Sequence, residues 1–324
     1  MNNLPLLLKR EYWEHRGGFF WAPLWVCAVI LIVTVLGILS AEVFNSRANI
    51  HMGFSLGELQ QHIGSNDLAE AGNALDMAQL MFGAMTCISL FFVLFFYLLG
   101  ALYDDRRDRS VLFWKSLPLT DTATVGSKVL SAMLVAPLIA FAISTVAYVL
   151  FLVLVCLWAG MHGVNALPAV FAAHPFGMFW RLLLTVPVDA LWALPTIGWL
   201  LFWSASARSK PFLWAVILPI IVVAVNGWFG VLGLPHVGGE IALKTVVGRL
   251  LLSIMPGSWI NAGGSGFNGR HFSFGDDEHV LTSFDPSHVY GLLATPNLWI
   301  GVVGGAALIA GAIWYRQRQI ETSS

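Results

Sequence analysis

Charge is what this 324-residue chain has least of: 17 Lys and Arg with 18 Asp and Glu make 11% of its residues, where a soluble domain carries about 25%. A water-soluble globule of this length must cover most of its surface with polar groups, and that supply is too small. The formal net charge of −1 also lacks the basic excess of a nucleic-acid binder. Cysteine is sparse too. Cys27, Cys87 and Cys156 each stand inside an apolar run, so neither a disulfide framework nor a cysteine metal site can be read from them. With 57% hydrophobic residues, disorder is excluded. What the chain has in abundance is apolar side chain, and it reads as an integral membrane protein.

Six apolar runs reach the length of about 20 residues that a bilayer crossing needs: Phe19–Ala41, Gln79–Leu102, Val129–Trp158, Trp180–Ser204, Pro211–Leu234 and Asn297–Tyr315. They are expected to be helices, because hydrocarbon leaves no outside partner for backbone polar groups. The fold class is therefore an all-α polytopic membrane protein, with residues 1–18 as an N-terminal interfacial helix and 19–320 as a six-span domain. The first run is too long for a signal-peptide core of about 7–15 residues and is read as retained. Pro137 is a candidate kink in the long third run.

Cations set the expected orientation. Lys9, Arg10 and Arg16 precede the first run; Arg106, Arg107, Arg109, Lys115 and Lys128 lie between the second and third. Arg208 and Lys210 lie between the fourth and fifth, and Arg316 and Arg318 follow the sixth. That is 12 of the 17 cations, so both termini are expected in the cytoplasm of a bacterial-type inner membrane. Segment 42–78 reads as a small external helical excursion. In the external loop 235–296, Leu243, Val246, Val247, Leu250, Leu251 and Ile254 recur at helical spacing. Lys244 and Arg249 interrupt this stretch, which reads as an external amphipathic or re-entrant helix, a seventh span being the alternative, and Pro256-Gly257 ends it.

Between the second and third runs a dense charge cluster, Tyr103-Asp104-Asp105-Arg106-Arg107-Asp108-Arg109-Ser110, gives way to Val111-Leu112-Phe113-Trp114-Lys115-Ser116-Leu117-Pro118-Leu119-Thr120-Asp121. An apolar, aromatic patch outside the spans marks a contact site; a tight turn with its aromatics on the membrane interface is the plainer reading. Leu117-Pro118 stops the short helix, and Thr120 or Asp121 can cap the next.

The run from Tyr103 through Ser116-Leu117-Pro118-Leu119-Thr120 to Gly126-Ser127-Lys128 resembles the first cytoplasmic loop of the ABC-type-2 export permeases. The match departs where Val111-Leu112 replace the usual Gly-Thr after Ser110. Leu8-Lys9-Arg10-Glu11-Tyr12-Trp13-Glu14-His15-Arg16 resembles the interfacial helix that precedes the first span in that family. The resemblance implies a membrane subunit that dimerises with a second permease copy and is driven by a separate ABC ATPase subunit, which holds ATP and Mg; no cofactor is expected in this chain. It further implies that 103–128 carries a coupling helix. Asp105, Arg106 and Arg107 would hold the loop by charge-assisted bonds. Val111, Leu112, Phe113 and Trp114 would form the buried knob, and Leu117 and Pro118 its exit. Lys9, Arg10, Tyr12, Trp13 and Arg16 would lie at the inner interface, either touching the same partner or serving as a plain membrane anchor.

No engine is visible within the chain. The nearest approach to a phosphate-binding loop, Gly238 to Thr245, has Leu243 where the second glycine belongs. There is no His-Glu-x-x-His, and Phe267 spoils Gly264-Ser265-Gly266 as a nucleophile elbow. Of nine histidines, His51, His62, His162, His174, His236, His271, His279 and His288 fall in expected external segments, at spacings that match no metal-ligand signature. Within the spans, Asp189 and Asn226 are the polar candidates. An intramembrane acid is either functional or paired to a neighbouring helix, and Asn226 could bond across helices. Arg181 reads as snorkelling to the outer surface.

The expected function is export of a hydrophobic or amphipathic substrate by alternating access. A polytopic membrane enzyme and a non-transporting sensor or immunity scaffold are the alternatives.

Overall fold

A computed structural model describes residues 4–48, 65–108, 120–173, 175–261 and 285–321, and among these it contains helices and no strand. Six helical stretches are long and apolar enough to cross a membrane: Gly17–Ser40, Leu68–Arg107, Asp121–Met161, Leu167–Ser206, Pro211–Val231 and Pro296–Arg318. Each contains or overlaps one of the six runs read from the sequence. The chain is a multi-pass helical membrane protein.

In chain order, α1 (Leu4–Glu14) leads through a π turn (Gly17–Trp21) into α2 (Ala22–Ala48). α3 (Ser65–Gly100) is followed by the short α4 (Tyr103–Arg107). α5 (Asp121–Leu130) continues through a second π turn (Ser131–Val135) into α6 (Ala136–Met161). Then come α7 (Leu167–Ala172), α8 (Pro175–Ser206) and α9 (Pro211–Val231). α10 (Gly239–Ala242) runs on as a ten-residue π helix, Leu243–Leu252. α11 (Pro286–Gly291) and α12 (Pro296–Glu321) complete the chain.

The helices outrun the apolar windows. At 36 residues and 1.5 Å per residue, α3 is about 54 Å long, well beyond the ~30 Å of hydrocarbon it has to cross. The excursion expected over 42–78 is, where described, the projecting ends of α2 and α3; residues 49–64 lie outside the described residues. The irregularity expected at Pro137 falls just before it, in the π turn Ser131–Val135, which leaves the proline in the first turn of α6.

One apolar core joins the spans towards the end of the bundle where α1, α4, α5 and the C-terminus of α12 meet. Phe19, Leu90, Leu94, Leu98, Ala136, Ala140, Ile197, Leu200, Leu201, Ala215 and Ala312 are all buried in it. Towards the opposite end the packing divides. Cys27, Phe82, Ala147 and Tyr148 tie α2, α3 and α6 together, while Val188, Trp192, Trp259, Val289 and Leu298 tie α8 to α11 and α12.

The α8–α12 crossing is the closest in the bundle, and glycine makes it so. A Cβ on Gly198 would strike the Gly305 carbonyl, and one on Gly305 the backbone of Leu194. Gly301 and Gly305, four residues apart, form the small-residue face that lets membrane helices approach backbone to backbone.

α10 and its π extension lie against α8 and α9 and bring Leu251 and Ile254 into the central core. The chain then reverses at Gly257, whose φ of +78° disfavours any residue with a side chain. The stretch from 241 to 260 is not among the helices long and apolar enough to cross a membrane.

Candidate functional site

The site begins with α1, a helix with two unlike faces. Leu7 and Glu11, one turn apart, are buried against the bundle, whereas Leu6, Lys9, Trp13 and Arg16 share the opposite, exposed face. Arg16 lies 5.8 Å from the Trp13 ring centroid. Mixed basic and aromatic groups on one face suit a headgroup layer. Of the five residues expected at the interface, Lys9, Trp13 and Arg16 stand on that face and Tyr12 is half-buried. Arg10 turns towards Glu11, 2.7 Å away, and Glu14, 3.7 Å away.

Glu11 is 0% exposed, so its charge must be met by protein. Tyr97 of α3 donates its hydroxyl to Oε2 at 2.9 Å, and Lys128 of α5 brings Nζ to 3.5 Å from Oε1. Burial alone pushes this carboxyl up; the Lys128 cation, the Tyr97 hydroxyl and Arg10 outweigh that and hold it below its ordinary value. Lys128 is itself buried and also lies 3.7 Å from Asp105 of α4.

Asp105 and Asp121 stand on either side of residues 109–119, and both meet Arg316 near the end of α12. The guanidinium donates Nη1 to Asp105 at 3.4 Å and Nε to Asp121 at 3.0 Å. With Arg316 only 6% exposed, one cation clasps the two feet of the 103–121 loop. Thr120 caps α5 by accepting the Ala123 N–H at 3.2 Å, as its position before the helix leads one to expect.

The second charged residue of the loop acts on α8. Arg106 donates to the carbonyls of Ser204 at 2.6 Å and Ala207 at 3.0 Å, where a helix C-terminus leaves acceptors unfilled. Ser204 Oγ in turn accepts the backbone N–H groups of Leu102 and Tyr103, at 2.9 and 3.0 Å. Arg107 is exposed and extends away from these contacts. Val111, Leu112, Phe113, Trp114, Leu117 and Pro118 lie outside the described residues. The geometry therefore fixes the base of the loop, to α8 through Arg106, to α5 and α12 through Asp105, and to α1 through the Lys128–Glu11 pair.

At the opposite end, Asp189 of α8 has no cation beside it. Its Oδ1 accepts the Gly257 N–H at 3.0 Å and the Trp259 indole N–H at 2.7 Å. Its visible work is to hold the reversal after α10. Asn226 does not bond to a neighbouring helix; its amide pairs with the backbone of Val237, donating at 2.7 Å and accepting at 3.0 Å, and ties down the turn after its own helix. Arg181 lies 3.7 Å from Asp285, both partly exposed. His162 Nε2 reaches Glu42 at 2.7 Å, joining the ends of α6 and α2. Among the described residues no three side chains of His, Cys, Asp and Glu converge as a metal centre requires.

Two features escaped the sequence reading. Arg249 passed there as an interruption of an apolar helix, yet its guanidinium lies 3.6 Å from the Trp192 ring centroid. It reaches α12 because Gly301 has no side chain. The glycines at 301 and 305 were the available signal for that contact. Arg316, counted only for its sign, is the clasp of the loop; no local signal pairs residues about 200 positions apart.

The class that fold and site define is a helical multi-pass membrane protein with an ion-paired end. Comparison with protein-family models, with curated proteins and with solved structures finds no match to this chain.

Proposed function

We propose that the chain is the membrane subunit of an ATP-driven exporter of the ABC-type-2 kind, working beside a separate ATPase subunit that holds ATP and Mg and beside a second permease copy. In this reading the charged end faces the cytoplasm with both termini, and the bilayer is that of a bacterial-type inner membrane. Residues 109–119 serve there as the coupling element, α1 lies in the inner headgroup layer, and α10 with its π extension is a re-entrant helix entered from outside. The substrate is a hydrophobic or amphipathic molecule moved outward.

The observation that carries the reading is the double clasp of Arg316 on Asp105 and Asp121. A loop pressed on by a motor transmits force only if its base is held by the helices that must move. This base is held by α12, by α5 and, through Arg106, by the end of α8. Buried charged pairs are costly to break, so a push on 109–119 is expected to move these helices as a unit.

The test is to introduce Phe113→Asp with Trp114→Asp in a tagged chain and to measure copurification of the ATPase. The expected result is normal membrane insertion with loss of the ATPase from the purified complex. Full recovery of ATPase with unchanged nucleotide turnover would contradict the coupling role.

A further inference from the structure

Among the described residues, Arg249 is a cation with no carboxylate beside it. It extends from the π helix Leu243–Leu252, an uncommon geometry that recurs at functional sites, onto the face of Trp192, which is 3% exposed. Its Nη2 donates to the Asn297 carbonyl at 2.9 Å. Its Nη1 is buried and has no hydrogen-bond partner among the described residues. Among the described residues no carboxylate pairs with it: the nearby acid of α8, Asp189, is taken up by the neutral N–H groups of Gly257 and Trp259.

The setting is built to hold the fork in place. Thr196 and Ser253 donate their hydroxyls to the Arg249 carbonyl, at 3.1 and 2.9 Å. A Cβ at Gly301 would fall on the guanidinium and would also crowd Pro195. Arginine stays charged under all ordinary conditions, and a planar fork stacked on an indole is the arrangement that grips phosphate or carboxylate with two parallel bonds. The Asn297 side of the group is exposed, which leaves an approach from the surface of the bundle.

We propose that Arg249 binds the anionic head group, phosphate or carboxylate, of an amphiphile, with Trp192 beneath it and Gly301 giving it room. This names the substrate class of the exporter reading and rests on that reading only for the step of transport. Binding itself belongs to this chain alone.

The experiment uses the full chain in phosphatidylcholine nanodiscs without any ATPase, titrated with dodecyl phosphate, with the neutral dodecyl maltoside and with inorganic phosphate. Saturable binding of dodecyl phosphate is expected, with none for the maltoside. Affinity should fall about tenfold or more in Arg249→Gln, as loss of a charged hydrogen-bonding group implies. Arg249→Lys, which keeps the charge but not the fork, and Gly301→Ala, which displaces the fork but keeps its charge, should each fall between the two. These variants also serve if Arg249→Gln does not fold. Inorganic phosphate that binds alone, with the same dependence on Arg249, would support the anion site and make free phosphate its source. Dodecyl phosphate affinity unchanged in folded Arg249→Gln, or absent in the wild-type chain, would overturn the proposal. ATPase copurification tests the exporter reading separately, since its failure leaves this titration untouched.

Discussion

The two ends of the bundle bury acids in opposite ways. Glu11 is enclosed by two cations and a tyrosine hydroxyl, whereas Asp189 is met by neutral groups, the Gly257 and Trp259 N–H and the Thr185 side chain. An ion-paired end resists separation as a block, because removing either partner strands a buried charge. A neutral-donor end holds a turn in place, and beyond it the described residues pack in two groups, α2–α3–α6 and α8–α11–α12. The exporter proposal uses this difference: it has the ion-paired end pushed and the other end open.

The largest effect is expected from breaking the ion-paired end. Glu11→Leu leaves Lys128 buried with only Asp105, and should cost about 3–5 kcal/mol, read as a lowered unfolding temperature in detergent. Adding Lys128→Met should restore much of that loss. An unchanged unfolding temperature in the single variant would place Glu11 in water and remove the contrast between the ends.

A smaller effect is expected from Asp189. Asp189→Leu strands the Gly257 and Trp259 N–H groups, at about 1–3 kcal/mol each. Asp189→Asn keeps an acceptor for both and should be nearly as stable as the wild type. Transport lost in Asp189→Asn at full stability would show that the charge itself is used, and that the acid does more than hold the turn.

The smallest is a pH effect confined to α1. A carboxyl held below its ordinary value contributes its full stabilisation above that value, 4.5 for a glutamate, and loses it as pH falls through the depressed value. The hydrogen-exchange protection factors of α1, with the intrinsic pH dependence of amide exchange divided out, should therefore be constant from neutral pH down to about 4.5 and should fall only below it. Protection that falls between neutral pH and that point would mean Glu11 lacks the partners described.

The spans were legible because twenty apolar residues in a row admit few other fates, and their helicity follows from the backbone's need for partners in hydrocarbon. Their true lengths were not legible, since α3 begins with polar residues such as Asn73 and Asp76 that hydropathy does not count as span. Thr120 as the cap of α5, and the turn at Pro256-Gly257, were readable from local chemistry. The loop residues Asp105 and Arg106 stood out by charge, but their partners, Arg316, Lys128 and the carbonyls at the end of α8, lie far along the chain. Glu11 looked like one more acid on a surface helix; only the packing of α1 on α5 buries it. Arg249 looked like a flaw in an apolar pattern, and its meaning depends on Trp192 and Gly301 from two other helices.

The most direct measurement of the central claim is photo-cross-linking from position 113, with a photoreactive phenylalanine analogue replacing Phe113 in the native membrane. The account predicts a cross-link to an ATP-binding subunit, with a yield that changes when ATP is added. Cross-links to lipid alone, unchanged by ATP, would contradict it.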